Sequence, residues 1–433
     1  MMDSNAPALL AAPIIQPVAR RLRLNSIWLL LARLITQAQL VVFTVLVARS
    51  LGVGGFGQYA FVAALIFLGN IATTFGTDTL LIRDVARNRQ PNDSLIPSAL
   101  WIQLILSVAW LIIVGLGADV LKGESPEVVL ALKVYSLSLI PLAFFTVFTA
   151  VLRAHERMDV YLLLSGIVAL MQLGGAGWVL AHNGNLLSLV MMLNLVQLSA
   201  AITAGVLCHN SLPAFHFRWT VTRSQLISVA RLAWPFALLG VLGVIYQRLG
   251  VLMLSTLGTE TQAGWYAAAT RVIEPVKMLH FAVLGALLPA LAYLAKPHLS
   301  APTTDRQQER IATRIFRRSM LFLLVFSTLA AGAIIVLAQP IVLLLFGASY
   351  ANSVVLVQIL ALSLIPYTLS ASWSVRLVTR GKERRVLWVT ALGVLLAFVL
   401  NRWLIPSYSS SGAALAVVGS ESFLAMLLSV VRR

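Results

Sequence analysis

The chain has 433 residues, of which 59% are hydrophobic and 11% are charged. Soluble domains carry about 25% charged residues, so this composition excludes a soluble globular protein and indicates a polytopic, all-α membrane protein. The formal net charge of +17 would suit a nucleic-acid partner, but its distribution along the chain argues against one. A single cysteine excludes an internal disulfide framework.

Twelve stretches of the chain are apolar enough to cross a bilayer, which takes about 20 residues. Lipid offers no hydrogen-bond partner to free backbone groups, and the stretches lack the alternation of barrel strands, so each is predicted to be a helix. The predicted spans are residues 27–48, 58–82, 98–117, 128–152, 160–180, 186–207, 232–254, 263–293, 320–345, 354–378, 386–405 and 412–431.

The basic residues lie in alternate loops between these spans. If the N-terminus is cytoplasmic, the cytoplasmic segments contain 24 of the 32 lysines and arginines, whereas the external loops hold little beyond Lys122. This bias predicts a multi-pass membrane protein with both termini in the cytoplasm. It also accounts for most of the net charge through contact with membrane lipids, without any nucleic acid.

Two sequence motifs occur twice, about half the chain apart. LSLIP at 137–141 recurs at 362–366, and each copy is followed by a basic turn, RAHER at 153–157 and RGKER at 380–384. LG at 51–52 with GQYA at 57–60 resembles LG at 257–258 with GWYA at 264–267. We therefore predict a cytoplasmic tail (1–23), an N-lobe of six helices (24–208), a cytoplasmic loop (209–231) and a C-lobe of six helices (232–433). Parallel repeats of this kind are typical of transporters, whose substrate site lies between the repeats.

Charged residues inside the spans mark the candidate site. Arg271, Glu274 and Lys277 fall on one side of a predicted helix. A charge within a span costs about 2.5–3.5 kcal/mol, so it usually faces a protein interior or a wet cavity. Basic residues outnumber acidic ones in or beside the spans, which favours an anionic substrate because guanidinium binds phosphate oxygens bidentately. The basic set is Arg33, Arg49, Lys133, Arg248, Arg271, Lys277 and Arg402, and the acidic set is Asp78, Glu274 and Glu421.

The role of several of these residues can be interpreted in two ways. Glu274 and Asp78 are candidates for coupling to a proton or sodium gradient, or are structural partners of nearby arginines. Arg33 is interpreted as facing a cavity rather than snorkelling, and Arg49 as a substrate ligand or an interfacial anchor. His280 could titrate near neutral pH or simply pack. The histidines show no metal-ligand spacing and there is no nucleotide or nucleophile motif, so we predict no catalytic residue, no metal and no cofactor.

The order of several motifs resembles bacterial polysaccharide-biosynthesis proteins of the O-antigen flippase (Wzx-like) family. The resemblance covers nearly the whole chain and rests on ARSLG at 48–52, FGQY at 56–59, LLIRDVAR at 80–87, GWYAAATR at 264–271, LLPAL at 287–291, PIVLLLFGASY at 340–350, NRWLIP at 401–406 and GAALA at 412–416. Members often carry an acid shortly after the arginine of the seventh span. Here Gly250 follows Arg248 instead, which argues against ion coupling in that span.

The resemblance implies the fold of the superfamily of multidrug/toxin exporters (MATE) and the lipid II flippase, with two pseudo-symmetric six-helix lobes around a central cavity. The implied function in lipopolysaccharide synthesis is that of a flippase, not an enzyme. It would carry an undecaprenyl-pyrophosphate-linked oligosaccharide from the cytoplasmic to the outer leaflet by alternating access. The predicted substrate ligands are Arg33, Arg49, Arg248, Arg271 and Lys277. Candidate partners are the lipid-linked oligosaccharide, membrane lipids, a glycan polymerase and chain-length machinery.

Two other functions are weighed against a flippase. A multidrug or metabolite antiporter of the same superfamily is the main alternative, although its substrates are often cationic and a basic interior would repel them. A membrane glycan polymerase or ligase is a remote alternative, because such enzymes usually carry a large external loop and no predicted external loop here is long.

Overall fold

A computed structural model describes residues 6–87, 94–118, 125–212, 219–295 and 302–431. Side chains are described from residue 24 onward, except at 26, 281–282, 285–295 and 302–309. Several charges used to predict the topology lie outside the described residues. They are Arg89, Asp119, Lys122, Glu124, Arg218, Lys296, Arg432 and Arg433.

The described chain is helical almost throughout and contains no strand in these ranges, which confirms the predicted all-α class. A short 3-10 turn at Ala348–Tyr350 follows the tenth helix. The helices are α1 (Ala6–Thr74), α2 (Thr77–Arg87), α3 (Leu95–Gly117), α4 (Pro126–Ser136), α5 (Leu139–Ala154), α6 (Met158–Ala181), α7 (Leu186–Ser211), α8 (Arg223–Leu257), α9 (Glu260–Ala295), α10 (Pro302–Phe346), α11 (Ser353–Leu362), α12 (Leu364–Thr379) and α13 (Glu383–Val431).

Two of the helices are long enough to cross a membrane twice and are interrupted where the backbone leaves the helical region. Gly52 interrupts α1 with φ 68° and ψ −177°, and Ser409 interrupts α13 with φ 53° and ψ −133°. Within the described residues, eight helices are long and apolar enough to span a membrane, or nine when α11 and α12 count as one bent span. Each of the twelve predicted spans lies within one described helix or within two consecutive ones, although α9, which holds the span predicted at 263–293, is not among these eight or nine.

Large apolar side chains are exposed along the helices, as a membrane-spanning protein requires. Leu116, Val336 and Leu344 are each more than 75% exposed. A water-soluble surface would carry only limited apolar patches, whereas a surface in lipid is expected to be apolar. Length, composition and exposure together define a multi-pass membrane protein.

The repeated LSLIP motif has the same local structure both times. The spans predicted at 128–152 and 354–378 each break at the serine of the motif, Ser138 between α4 and α5 and Ser363 between α11 and α12. Each serine hydroxyl donates a 2.6 Å hydrogen bond to the carbonyl three residues earlier. The prolines of the motif, Pro141 and Pro366, then fall in the first turn of the next helix, where a missing N–H costs nothing.

The described chain divides into two compact units. Unit 1 comprises Met1–Thr44, Gly69–Leu116 and Lys133–Leu238, and unit 2 comprises Val45–Leu68, Gly117–Leu132 and Leu239–Arg433. Unit 1 has a core in which α2 and α6 pack against α5 and α7. In unit 2, α9 packs against α10, α11, α12 and α13. The predicted lobe boundaries at 208 and 232 stay a prediction.

Candidate functional site

A row of four polar side chains runs along α9 in unit 2 at a spacing of three residues: Arg271, Glu274, Lys277 and His280. A helix turns about 100° per residue, so each step of three falls about 60° short of a full turn. Arg271, Glu274 and Lys277 of this α9 polar row thus span about 120° and share one side of the helix, as the sequence predicts, and His280 extends the row to about 180°.

The first two members form a three-residue cluster with Arg248 of α8. Glu274 accepts a hydrogen bond from Arg271 Nη1 at Oε2 (2.6 Å) and from Arg248 Nη1 at Oε1 (3.1 Å). The three side chains are between 18% and 31% exposed, so the ion pairs are partly withdrawn from solvent. Two guanidinium groups share one carboxylate, and the cluster keeps a net charge of about +1.

Arg248 also has hydrogen-bonding capacity that the described residues do not use. Its Nε is buried and has no acceptor among them. Its guanidinium carbon lies 5.0 Å from the centre of the Phe67 ring, a cation–π distance. The arginine is thus oriented by Phe67 on one side and Glu274 on the other, with a donor left over.

Two tyrosines from the repeated GxYA motif flank the cluster. Tyr59 and Tyr266 are buried, and both lie within electrostatic range of Arg248. A Cβ atom at Gly250 would collide with the Tyr266 hydroxyl, with the ring Cζ only 2.8 Å away. The acid expected after Arg248 in related proteins therefore has no room here unless Tyr266 moves.

The motif copies also contact each other within unit 2. A Cβ at Gly57 would lie 2.9 Å from the backbone nitrogen of Gly264, and a Cβ at Gly264 would meet the carbonyl of Val53. Gln58 Nε2 adds a 2.8 Å hydrogen bond to Glu260. At this crossing of α1 and α9, each glycine lies against the backbone of the other helix and leaves no room for a side chain. Both copies of the motif therefore need a glycine at that position.

The third member of the row, Lys277, pairs with a carboxylate on α13. Its Nζ lies 3.8 Å from Oε1 of Glu421 and 4.8 Å from the centre of the Tyr367 ring. The Glu421 side chain is 4% exposed and accepts a hydrogen bond from Ser370 Oγ at 3.2 Å, and the Tyr246 hydroxyl donates to the neighbouring Ser420 Oγ at 3.1 Å. One lysine faces one carboxylate, so this pair is close to neutral.

The fourth member, His280, is fully buried and joins three helices. Its Nε2 lies 2.5 Å from Ser327 Oγ on α10 and 2.9 Å from Thr368 Oγ1 on α12. The Phe326 and Tyr367 rings pack against the imidazole.

The other predicted site residues are Arg49, Arg33 and Asp78. Arg49 donates from Nε to the Leu345 carbonyl at 2.8 Å and from Nη2 to the Leu344 carbonyl, which places it at the C-terminal end of α10. Arg33 is an exposed residue of unit 1, and Asp78 occupies the first turn of α2, also in unit 1. Within unit 2 the structure thus groups Arg248, Arg271 and Glu274, with Lys277 on the same helix paired to Glu421.

Several residues of the site were not identified from the sequence. Glu421 was counted only as an acidic residue, although a carboxylate inside an apolar span should itself have marked a functional candidate. The remaining residues carry hydroxyl groups that resemble the many others in the spans. They are Tyr246, Tyr266, Ser327, Tyr367, Thr368 and Ser370.

Solved structures with the same fold include a lipid flippase and multidrug transporters. The lipid II flippase MurJ in an inward closed conformation superimposes with a TM-score of 0.77, at 15% identity, over 95% of this chain and 87% of that one. A multidrug resistance MATE family transporter of the MOP superfamily in an inward-facing conformation gives 0.69, at 15% identity, over 92% and 95%. A Vibrio cholerae MATE transporter gives 0.66, at 14% identity, over 96% of both chains. These likenesses confirm a MATE-like fold.

The chain belongs to the polysaccharide biosynthesis protein family, whose pattern it matches over residues 22–295, more than half of its length. No sequence among the curated proteins matches the chain. The family resemblance inferred from the motifs is confirmed.

Proposed function

We propose that the protein is a flippase that moves an undecaprenyl-pyrophosphate-linked oligosaccharide from the cytoplasmic to the outer leaflet of the inner membrane by alternating access. The observation that carries this proposal is the cluster in which Arg248 and Arg271 share Glu274. Membership of the polysaccharide biosynthesis family supports a glycan intermediate as the cargo. Likeness in fold to the lipid II flippase MurJ supports movement of a lipid-linked molecule.

The cluster suits a pyrophosphate because of its charge and its unused donors. Each guanidinium has five N–H donors in a planar fork, and one from each arginine is bound to Glu274. Pyrophosphate offers two sets of oxygens that two forks can bind, and guanidinium stays charged when it is desolvated. Glu274 then holds both arginines in position while leaving a net positive charge for the ligand.

Other parts of the predicted mechanism are included in the proposal. Lys277 supplies a further cation on the same helix, and Arg33 and Arg49 are candidate ligands at other stages of transport. Glu274 or Asp78 would couple the cycle to a proton or sodium gradient. Both termini would lie in the cytoplasm, and a glycan polymerase with its chain-length machinery would receive the cargo.

The experiment compares binding of undecaprenyl pyrophosphate by the purified protein in lipid nanodiscs before and after neutralising the cluster. Losing a charge-assisted hydrogen bond costs about 1.5–3 kcal/mol, so we expect Arg248→Gln or Arg271→Gln to weaken binding about 10- to 100-fold. Arg402→Gln is the matched control, because Arg402 is an exposed arginine of α13. Undecaprenol, which has no phosphate, should show no difference between the proteins.

A cellular experiment tests translocation itself. Deletion of the protein should trap lipid-linked repeat units on the cytoplasmic leaflet, and the double variant R248Q/R271Q should fail to restore surface glycan. Normal surface glycan from a correctly folded double variant would contradict the proposal. Loss of cationic dye export on deletion would favour an antiporter instead, and turnover of a lipid-linked donor would indicate a polymerase or ligase.

A further inference from the structure

Three histidines of the chain make the same local hydrogen bond. In His155, His182 and His280, Nδ1 lies 2.8–2.9 Å from the backbone carbonyl four residues earlier in the helix. A carbonyl can only accept, so Nδ1 carries a hydrogen in all three. The remaining nitrogen, Nε2, is therefore the atom that accepts a hydrogen bond in the neutral imidazole and takes the second proton in the cation.

His280 differs from the other two in the surroundings of Nε2. The hydroxyls of Ser327 and Thr368 lie 2.5 Å and 2.9 Å from Nε2, and 2.6 Å from each other. All three side chains have no exposed surface. Each hydroxyl oxygen also lies 2.7 Å from the carbonyl four residues earlier in its own helix.

These distances satisfy the hydrogen bonds of both protonation states without moving a heavy atom. With neutral imidazole, Ser327 donates to Nε2 and Thr368 donates to Ser327. With a protonated imidazole, Nε2 donates to Ser327, whose hydroxyl turns to the Leu323 carbonyl, and Thr368 donates to Ser327 or to the Leu364 carbonyl. If the hydrogen bonds of a buried imidazole were satisfied in only one protonation state, gaining or losing a proton would leave a buried polar atom unpaired and would be unfavourable.

We propose that His280, Ser327 and Thr368 form a proton-binding site in the interior of unit 2, in which rotation of two hydroxyl groups compensates the gain or loss of the proton. The site is separate from the candidate coupling carboxylates Glu274 and Asp78. It does not depend on which substrate the protein carries.

The ionisable groups around this site come from several packed helices. Lys277 lies one turn earlier on α9, and its partner Glu421 is on α13. The ring of Tyr367 on α12 is in contact with both Lys277 and His280. Arg248 of α8 is bound to Glu274, two turns before His280. The nearest described basic residue of α10, Arg318, is nine positions before Ser327, and α11 has no ionisable side chain.

A proton on His280 would therefore add positive charge in a region that already holds Lys277. Among the described residues, the Glu421 carboxylate would weaken the repulsion of this added charge, because it already pairs with Lys277 and neutralises that cation. An unperturbed imidazole changes its charge between about pH 5 and 8, so occupancy of the proposed site is to be tested in and around this range.

The test is solid-state NMR of the full-length protein in lipid, with histidine labelled with ¹⁵N, between about pH 5 and 8.5. We expect one buried histidine to gain a proton in this range, with its signal lost in His280→Gln and kept in His182→Gln. A His280 signal that remains neutral throughout would overturn the proposal and leave an interhelical hydrogen bond only.

A second comparison keeps the proposal testable if His280→Gln does not fold. Ser327→Ala and Thr368→Val retain the imidazole but remove a hydroxyl, and each should lower the protonated fraction at about pH 6 by roughly threefold or more. Thr328→Val is the matched control, because Thr328 makes the same bond to the carbonyl four residues earlier but is exposed. Titration of His280 unchanged by both substitutions would show that the hydroxyls do not form the site.

Discussion

Units 1 and 2 use polar side chains inside their helices in different ways. In unit 1, neutral groups join the helices: Gln103 Nε2 donates to Thr77 Oγ1 at 2.8 Å, and both residues are buried. The ion pair Arg83–Asp84 of unit 1 is on α2, with side chains 53% and 29% exposed. The buried interhelical bond of Gln103 and Thr77 thus joins two neutral side chains, whereas the Arg83–Asp84 ion pair is partly exposed.

In unit 2, charged side chains also form contacts between helices. Glu274 binds two arginines, and Glu421 binds Lys277 while being only 4% exposed. Neutral hydrogen bonds are enough to hold helices together in a membrane, and charges there are costly. The proposed pyrophosphate ligands Arg248, Arg271 and Lys277 all lie in unit 2, where these charged groups are found.

The largest effect on stability is expected from breaking the Lys277–Glu421 pair. Lys277→Met leaves the buried Glu421 carboxylate without its cation, which should lower the free energy of unfolding by about 3 kcal/mol. Denaturant unfolding of the purified protein measures this. An exposed pair of unit 1, Arg83–Asp84, provides the comparison: Arg83→Met should cost less than about 1 kcal/mol.

The double variant K277M/E421Q separates lost charge pairing from lost packing. Removing the carboxylate charge as well should restore at least half of the stability, because the uncompensated charge is gone. If the double variant is no more stable than Lys277→Met, the pair does not interact as the structure indicates.

The next largest effect concerns glycines at close helix contacts. A Cβ at Gly57 in unit 2 would meet backbone atoms, including the Gly264 nitrogen at 2.9 Å, and a Cβ at Gly69 in unit 1 would meet the Trp110 side chain at 2.7 Å. A side chain can move more easily than a backbone. Gly57→Ala should therefore cost about 2–3 kcal/mol and Gly69→Ala about 1 kcal/mol.

Gly54→Ala is the control for these glycine variants. Gly54 is in the same helical segment as Gly57, but a Cβ there meets nothing within 4 Å. Alanine should be neutral or slightly stabilising, because glycine in a helix costs up to about 1 kcal/mol relative to alanine. Equal losses for Gly54→Ala and Gly57→Ala would mean that helix propensity alone decides the outcome.

Much of the fold could be predicted from the sequence, because the length of an apolar stretch and the basic residues of a loop depend only on local composition. The helix breaks at Ser138 and Ser363 were missed, since a serine and a proline two or three residues apart also occur within continuous spans. Arg271 and Glu274 were identified because a charge in an apolar stretch has a known cost. Their pairing with Arg248 was not predictable, as it depends on which face of α8 meets α9.

A smaller effect on stability is expected at Arg49. This residue is a proposed substrate ligand, but its hydrogen bonds in the structure also suggest a structural role, and one substitution can distinguish the two. Its guanidinium caps carbonyls at the end of α10, where the helix dipole also favours a cation. Arg49→Met should lower stability by about 1.5 kcal/mol. If capping is its main role, binding of undecaprenyl pyrophosphate should change less than twofold, in contrast to Arg248→Gln. A tenfold loss of binding would instead establish Arg49 as a ligand.

The smallest effect is expected in the neutral network of unit 1. Thr77→Val removes the acceptor of the Gln103 amide, and interhelical hydrogen bonds in membranes contribute about 0.6 kcal/mol on average. Substrate binding should be unchanged, and the double variant T77V/Q103L should be close to wild type in stability because no buried donor is left unpaired. A loss of substrate binding in Thr77→Val would break the contrast between the units, since it would place ligand recognition in unit 1 as well.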